Sequence, residues 1–280
     1  MKQKINRLYW DIETSPNIMF GWECGYKKNI HTDMIINERA IICICYKWEN
    51  EKKVHSLQWD HPTGDDPLKV GCDKEMIRKF LEVAEMADEL VAHNGDQFDI
   101  KYLNTRALYH NLPVGKTLKT VDTLKIARRY FRLNSNRLDY ICKYLFNEGK
   151  IHTNMSMWAA ICLQGCNKAM KQMIKYCKKD VVLLQKAYHK LSQYDKDHTH
   201  VGVLNGHDAW TCPRCGSEKV RRNGSTITGT GARKQLMQCT CCGRKYRISN
   251  ANLNKYKEHK YNERNNREDT PKQGSRANTT

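Results

Sequence analysis

Asp11 and Glu13 stand two residues apart in LYWDIETSP, Asp99 closes NGDQFD, and Tyr176 and Asp180 stand four apart in YCKKD. Carboxylates spread over separate segments are the donor set that two hard divalent cations need, because Mg²⁺ and Mn²⁺ take oxygen ligands. The chemistry of such a set is phosphodiester cleavage. It requires the segments to converge, and local patterning permits this. Residues 6–12 are rich in β-formers and read as a strand, on which Asp11 and Glu13 face the same way. Tyr176 and Asp180 fall in a helical pattern, MKQMIKYCKKDVVLLQKAY, and share one helix face. Asn94-Gly95 breaks the chain after ELVAH, so Asp99 falls near the start of the next helix, where backbone N–H groups help hold an anion. Charges at the end of a buried strand are costly unless a metal or a partner compensates them.

Each motif alone has an ordinary reading. D-x-E recurs by chance, Tyr with Asp four residues on is common on an amphipathic helix, and NGDQFD suits a turn capped by Asp96 or Asp99. Taken together and in this order, D-x-E, N-G-x-x-F-D and Y-x-x-x-D resemble the three motifs of the DEDDy 3′–5′ exonucleases. The resemblance covers residues 5–192, and DIETSPNIMFGW followed by ERAIICICYKWE is most similar to a phage branch of stand-alone exonucleases.

That resemblance implies an α/β fold with a ribonuclease-H-like mixed sheet flanked by helices. It implies that Asp11, Glu13, Asp99 and Asp180 hold two Mg²⁺ or Mn²⁺ ions and that Tyr176 orients the attacking water. One ion would rest on Asp11, Glu13 and Asp180, the other on Asp11 and, through waters, Asp99. The expected activity is 3′–5′ removal of nucleotides from single-stranded nucleic acid, DNA favoured over RNA. Two other classes stay open: a binding or adaptor protein on a nuclease scaffold, and a structure-specific endonuclease. After residue 195 there is no room for a polymerase domain, so proofreading would occur in trans.

Charge supports a polyanionic partner, single-stranded DNA or RNA. The 280 residues carry a formal net charge of +18, of which +8 falls on residues 1–200 and +10 on residues 201–280. No signal peptide and no membrane-length apolar run is evident, so no membrane partner is expected and the expected location is the cytoplasm, the host's if the gene is phage-borne. Of 13 cysteines, eight are scattered before residue 181 and read as buried reduced thiols. The other five cluster. Cys212, Cys215, Cys239 and Cys242 form two C-x2-C pairs with 23 residues between them, the spacing of one structural Zn²⁺ site, and the whole resembles a zinc ribbon. Cys241 is a spare thiol; the glycine after Cys242 favours Cys242 as the ligand.

Around that site stand Arg214, Arg221, Arg222, Arg233, Lys234, Arg244 and Lys245, suited to phosphates, with Trp210 and Tyr246 as candidate base-stacking rings. The alternative is a protein-docking module, for instance for a replication or recombination protein. GTGARK, 229–234, lacks the ending of a phosphate loop, and His198, His200 and His207 read as linker residues. The expected organisation is a nuclease domain over 1–195, a linker over 196–208, a small C-terminal zinc ribbon over 209–249 and a disordered basic, polar tail over 250–280. Within the first domain, strands are expected at 6–12, 39–48, 52–59 and 89–93, the first three as an antiparallel meander. Helices are expected at 73–86, 97–110, 120–131, 136–146, 168–177 and 179–193, the last two able to run on as one.

Overall fold

A computed structural model describes residues 5–22, 31–60, 71–113, 119–151, 153–195 and 199–268. They fall into two compact units, one spanning Asn6–Asp195 and one built from Lys196 onward with the N-terminal five residues.

The larger unit opens on strand β1 (Arg7–Thr14), followed by the short pair β2 (Ile18–Met19) and β3 (Ile35–Asn37). Then come β4 (Ile41–Trp48), β5 (His55–Gln58), α1 (Lys74–Glu85), β6 (Glu89–Ala92), α2 (Asp99–Tyr109) and β7 (Thr120–Asp122). Four helices complete it: α3 (Thr123–Tyr130), α4 (Leu138–Phe146), α5 (Met155–Gln164) and α6 (Asn167–Leu191). Five strands form one mixed sheet in the order β5-β4-β1-β6-β7. The first three run antiparallel to one another, the expected meander, while β6 adds in parallel to β1 and β7 in parallel to β6.

β1 is the central strand, and its alternation decides what each face of the sheet carries. Trp10 points to the face covered by α1, where its ring stacks on Phe80 at 4.8 Å. Tyr9, Asp11 and Glu13 point to the opposite face; Tyr9 meets Tyr188 of α6 at 5.6 Å. The alternating pattern therefore buries one row of β1 as core and turns the other, with its carboxylates, toward α6. On the first face Asp73 is fully buried and accepts from the Ile41 N–H and from both arms of the Arg106 guanidinium, at 2.8–2.9 Å. That buried ion pair joins the start of β4 to α1 and α2.

Several expectations need correction. Residues 120–122 are strand, not helix; α3 starts at Thr123, with the Asp122 side chain accepting the Leu124 N–H as its cap. Three residues pairing at a sheet edge are too few for a period to emerge. The last two helices do run on as one, α6, of 25 residues. α5 lies where no element was expected, capped by Asn154 at its start and by left-handed Gly165 at its end.

The smaller unit holds α7 (Val201–Leu204), strands β8 (Val220–Ile227), β9 (Arg233–Cys239) and β10 (Lys245–Ile248), and helix α8 (Asn250–Glu268). The three strands form an antiparallel sheet in the order β10-β9-β8, with the Gly-rich tip between β8 and β9. Residues 199–208 are thus no free linker: Val201 is buried and its N–H donates to Pro213 O. His200 caps α7 and His207 pairs with Glu218. His198 lies outside the described residues. The expected disordered tail is helical as far as Glu268, and Leu253 and Tyr256 pack it onto a core of Trp210, Val220, Met237 and Ile248.

Candidate active site

Asp11 and Glu13 sit near the C-terminal end of β1, partly exposed, while Asp99 and Asp180 are buried. Asp99 reaches the sheet from the first turn of α2, and its Oδ1 accepts the Ile12 N–H at 3.1 Å. The turn before it explains how. Asn94 adopts the left-handed conformation with φ 67°, and a Cβ on Gly95 would lie 2.4 Å from Ala92 Cβ. Asn94-Gly95 therefore lets α2 start hard against β6. Asp96 does not cap the helix; it pairs with Lys125. Asp180 comes from the middle of α6, one turn beyond Tyr176, whose hydroxyl favours its charged form.

The four carboxylates share one field. Burial raises the pKa of Asp11 well above the usual carboxylate range, and the charges of Asp99, Glu13 and Asp180 raise it further. Glu13 is pushed up to about 8, by burial and then by Asp180. Burial lifts Asp99 to about 7 against the stabilising Ile12 N–H. Asp180 is also raised by burial, against the pull of Lys150. These directions mean that the folded protein resists holding four negative charges here without a cation.

Lys150 is the residue that sequence patterning missed. Its Nζ lies 2.5 Å from Asp180 Oδ2 and 5.5 Å from the Tyr176 ring centroid. It lowers the pKa of all four carboxylates, and against the effect of burial Asp180 and Asp11 raise its own. Its backbone N–H donates to Asp139 Oδ1 at 2.7 Å, which fixes the otherwise irregular segment before α5. A lone lysine in an aperiodic stretch carries no motif, so nothing in the sequence flagged it. Asp180 Oδ1, by contrast, is buried with no hydrogen-bond partner. An anionic oxygen in that state is what a bound cation satisfies. Lys150 supplies one positive charge to four carboxylates, so the donor set fits divalent metal.

Cavities border Lys150 and Tyr176. A cavity of about 570 Å³ is bordered by Lys150, Asp139, Asn94, Arg128 and Arg137, and another of about 440 Å³ by Tyr176, Ile151 and Met157. His93 ties the first together by bridging Thr123 Oγ1 and Asn136 O, both at 2.9 Å.

These pKa shifts carry a sign for stability. In metal-free protein an unfolded Glu13 or Asp99 loses its proton near the ordinary 4.5 or 3.8, while the folded groups keep theirs to about 8 and 7. Across that window the unfolded state binds fewer protons, so stability falls as pH rises. We expect the melting temperature in EDTA to drop between pH 5 and 8, and Mg²⁺ or Mn²⁺ to restore it most at pH 8, by at least ~5 °C. A metal effect equal at both pH values would contradict the arrangement.

In the smaller unit, Cys212, Cys215, Cys239 and Cys242 converge with their sulfurs within 4.8 Å of one another. Cys212 and Cys242 lie 3.6 Å apart and Cys215 and Cys239 3.7 Å. A tetrahedral ion with sulfur bonds of about 2.3 Å spaces its ligands at about 3.8 Å, so the set can hold one such metal. Cys241 is exposed and outside the cluster. Register puts Arg221, Gln238 and Lys245 abreast on one face of this sheet, with Arg247 beside Leu236 and Lys234 beside Thr226 on the same side. Arg222 and Arg233 fall on the other parity but are exposed, and exposed Arg214 and half-buried Arg244 lie in the cysteine turns. Trp210 cannot stack on a base. It is 2 % exposed, and its ring packs on Tyr256 and His259. Tyr246 is half-buried and donates its hydroxyl to Trp210 O.

Comparison with known proteins agrees with the larger unit's architecture. A DNA polymerase of Methanocaldococcus jannaschii is 27% identical over 190 residues, 55% of this chain and 11% of the relative. The PolC-type DNA polymerase III of Ureaplasma parvum is 38% identical over 97 residues, 33% of this chain and 6% of the relative. The chain thus spans about a tenth or less of each. Among solved structures, the family B DNA polymerase of Pyrobaculum calidifontis superposes with a TM-score of 0.51 at 13% identity, over 72% of this chain and 26% of that one. That likeness is one of fold. Among the described residues, no helix is long and apolar enough to cross a membrane. The family model RNase_H_2 matches residues 41–192, from β4 to the end of α6, leaving Asp11 and Glu13 just outside. With more than half of its length matched, the chain belongs to the RNase_H superfamily, and its larger unit has the RNase H-like fold.

Proposed function

We propose that the protein is a 3′–5′ exonuclease that removes nucleotides from single-stranded nucleic acid, DNA in preference to RNA, by two-metal hydrolysis. The observation that carries this reading is the meeting of Asp11, Glu13, Asp99 and Asp180 from three separate elements, with Tyr176 and Lys150 beside them. The names of both sequence relatives favour DNA. Asp11, Glu13 and Asp180 would hold one Mg²⁺ or Mn²⁺ ion, and Asp11 and Asp99 the other. Bound there, the pair supplies a water of lowered pKa and stabilises charge on the departing 3′ oxygen.

The chain's own residues do the positioning. The Tyr176 hydroxyl, held beside Asp180, aligns the attacking water with the terminal phosphodiester. Burial holds the Tyr176 proton on at neutral pH, so it orients as a donor rather than acting as a base. Lys150 favours the charged form of Asp180 and holds it in place. The Ile12 N–H acts in the same direction on Asp99. In the smaller unit, Cys212, Cys215, Cys239 and Cys242 would hold one structural Zn²⁺, and the face carrying Arg221, Lys234, Lys245 and Arg247 would grip the nucleic-acid backbone.

The test is a cleavage time course on 5′-labelled single-stranded DNA and RNA of matched sequence, with Mg²⁺ or Mn²⁺. A ladder descending from the 3′ end, faster on DNA, is the expected result. Cutting of closed circular single strands would point to an endonuclease. Tight, salt-sensitive binding with no cleavage of either polymer would point to an adaptor.

A further inference from the structure

The pairing of β1 with β4 sets Cys45 opposite Asp11 and Cys43 opposite Glu13, on the sheet face that α6 covers. Directly opposed residues on one face sit side by side. From α6, Cys177 reaches into the same patch. Its sulfur also lies 3.4 Å from the Asp11 carbonyl oxygen and 3.7 Å from Asp11 Oδ2. The three sulfurs fall within 4.8 Å of one another, and Cys177 falls within that distance of the carboxylate oxygens of Asp11 and Glu13. The result is a donor patch with a thiol end, Cys43, Cys45 and Cys177, and a carboxylate end, Asp11 and Glu13, joined at Cys177.

Buried cysteines ordinarily serve as small apolar side chains. Cys142 and Cys162 do so here, buried and outside any cluster of metal-ligating groups among the described residues. Cys43, Cys45 and Cys177 are as deeply buried, yet they converge, and Cys177 lies against a carboxylate. The 3.7 Å from the Cys177 sulfur to Asp11 Oδ2 is close to the donor spacing around a tetrahedral zinc-sized ion, about 3.6 Å for one sulfur and one oxygen. The paired sulfurs of the C-terminal cluster lie at the same spacing.

We propose that Cys43, Cys45 and Cys177 form a binding site for a thiophilic divalent ion, Zn²⁺ or Cd²⁺, with Asp11 as fourth ligand, and that its occupation silences the neighbouring carboxylate centre. Thiolates select soft ions and carboxylates hard ones, so the two ends of the patch take different metals. Binding releases the three thiol protons to solvent and needs no oxidant. The ion enters past Asp11 and Glu13, which are partly exposed. A thiol-bound ion and a hard ion compete because both need Asp11. The silencing rests on the exonuclease reading; the binding does not.

Full-length protein is titrated with Cd²⁺ in a thiol-free reductant, desalted, and its bound metal counted and examined by ¹¹³Cd NMR. The expected result is two ions per chain and two resonances, one from the four-cysteine cluster and one shifted toward mixed sulfur and oxygen ligation. The Cys43→Ala/Cys45→Ala variant should lose the second ion and its resonance, while Cys142→Ala keeps both. One ion and one resonance in the unaltered protein overturns the site, however the variants fold. Two ions surviving in Cys43→Ala/Cys45→Ala also overturns it. In cleavage assays with Mg²⁺, that double variant should need at least about tenfold more Cd²⁺ for half-inhibition. Full cleavage by protein carrying the second ion defeats the silencing. Absence of cleavage in Mg²⁺ alone, with two ions still bound, counts against the exonuclease reading and leaves the site standing.

Discussion

Asp11→Ala is expected to abolish cleavage, by at least about a thousandfold, while raising the melting temperature of the metal-free protein. The two effects have one origin. Asp11 sits where burial and three neighbouring carboxylates oppose its charge, so the apo fold carries it at a cost that metal removes. An ordinary truncation of a packed side chain would lower stability instead. Asp180→Ala should abolish cleavage as completely but bring no such gain, because Lys150 loses the carboxylate 2.5 Å from its ammonium group. Tyr176→Phe removes one hydroxyl and no proposed metal ligand, so a slower enzyme remains, roughly ten- to a hundredfold down. Cleavage rates in Mg²⁺ and melting curves in EDTA separate these three cases. Asp11→Ala protein that cleaves normally would dismiss the site, and one that melts lower in EDTA would dismiss the electrostatic account of it.

Residues that announced themselves in the sequence did so through local rules. The D-x-E pair depends on strand alternation alone, and β1 places both carboxylates on one face. Asn94-Gly95 is legible because a left-handed turn and a close approach to Ala92 admit few other residues. Cys212, Cys215, Cys239 and Cys242 are legible because two tight turns impose their spacing. The elements that went unread depend on distant contacts. Lys150 acquires meaning when α6 brings Asp180 beside it. Cys43 and Cys45 read as core residues of an apolar strand until the register with β1 sets them against Glu13 and Asp11. Helix α8 was hidden by its composition, since Leu253 and Tyr256 are its chief apolar contacts with the sheet. One local cue was nevertheless there: Ser249 Oγ accepts the Asn252 N–H, the pattern of a helix cap. Trp210 misled in the opposite direction. A tryptophan among arginines suggests base stacking, but a unit this small needs its largest ring as core.

That shortage of core sets the size of the effect expected when the cysteine cluster is dismantled. Among the described residues the core cluster of the smaller unit is small: Trp210, Val220, Met237, Ile248 and Leu253, with the cysteines themselves. So small a cluster cannot offset the chain entropy of some 60–70 ordered residues without a metal tie. Cys215→Ser, or removal of Zn²⁺ by a strong chelator, should therefore unfold this unit outright, exposing residues 199–268 to protease while the Asn6–Asp195 unit keeps its own much larger core. Affinity for single-stranded DNA should fall with it. Arg221→Ala/Lys245→Ala/Arg247→Ala gives the complementary result, because these side chains lie on the sheet face opposite Met237 and need not disturb the fold. The triple variant should keep its zinc and its protease resistance, yet bind single strands with a log–log salt slope shallower by about two. Unchanged affinity and slope in that folded variant would mean that the basic face does not carry nucleic acid, and would favour a protein-docking role for the unit instead.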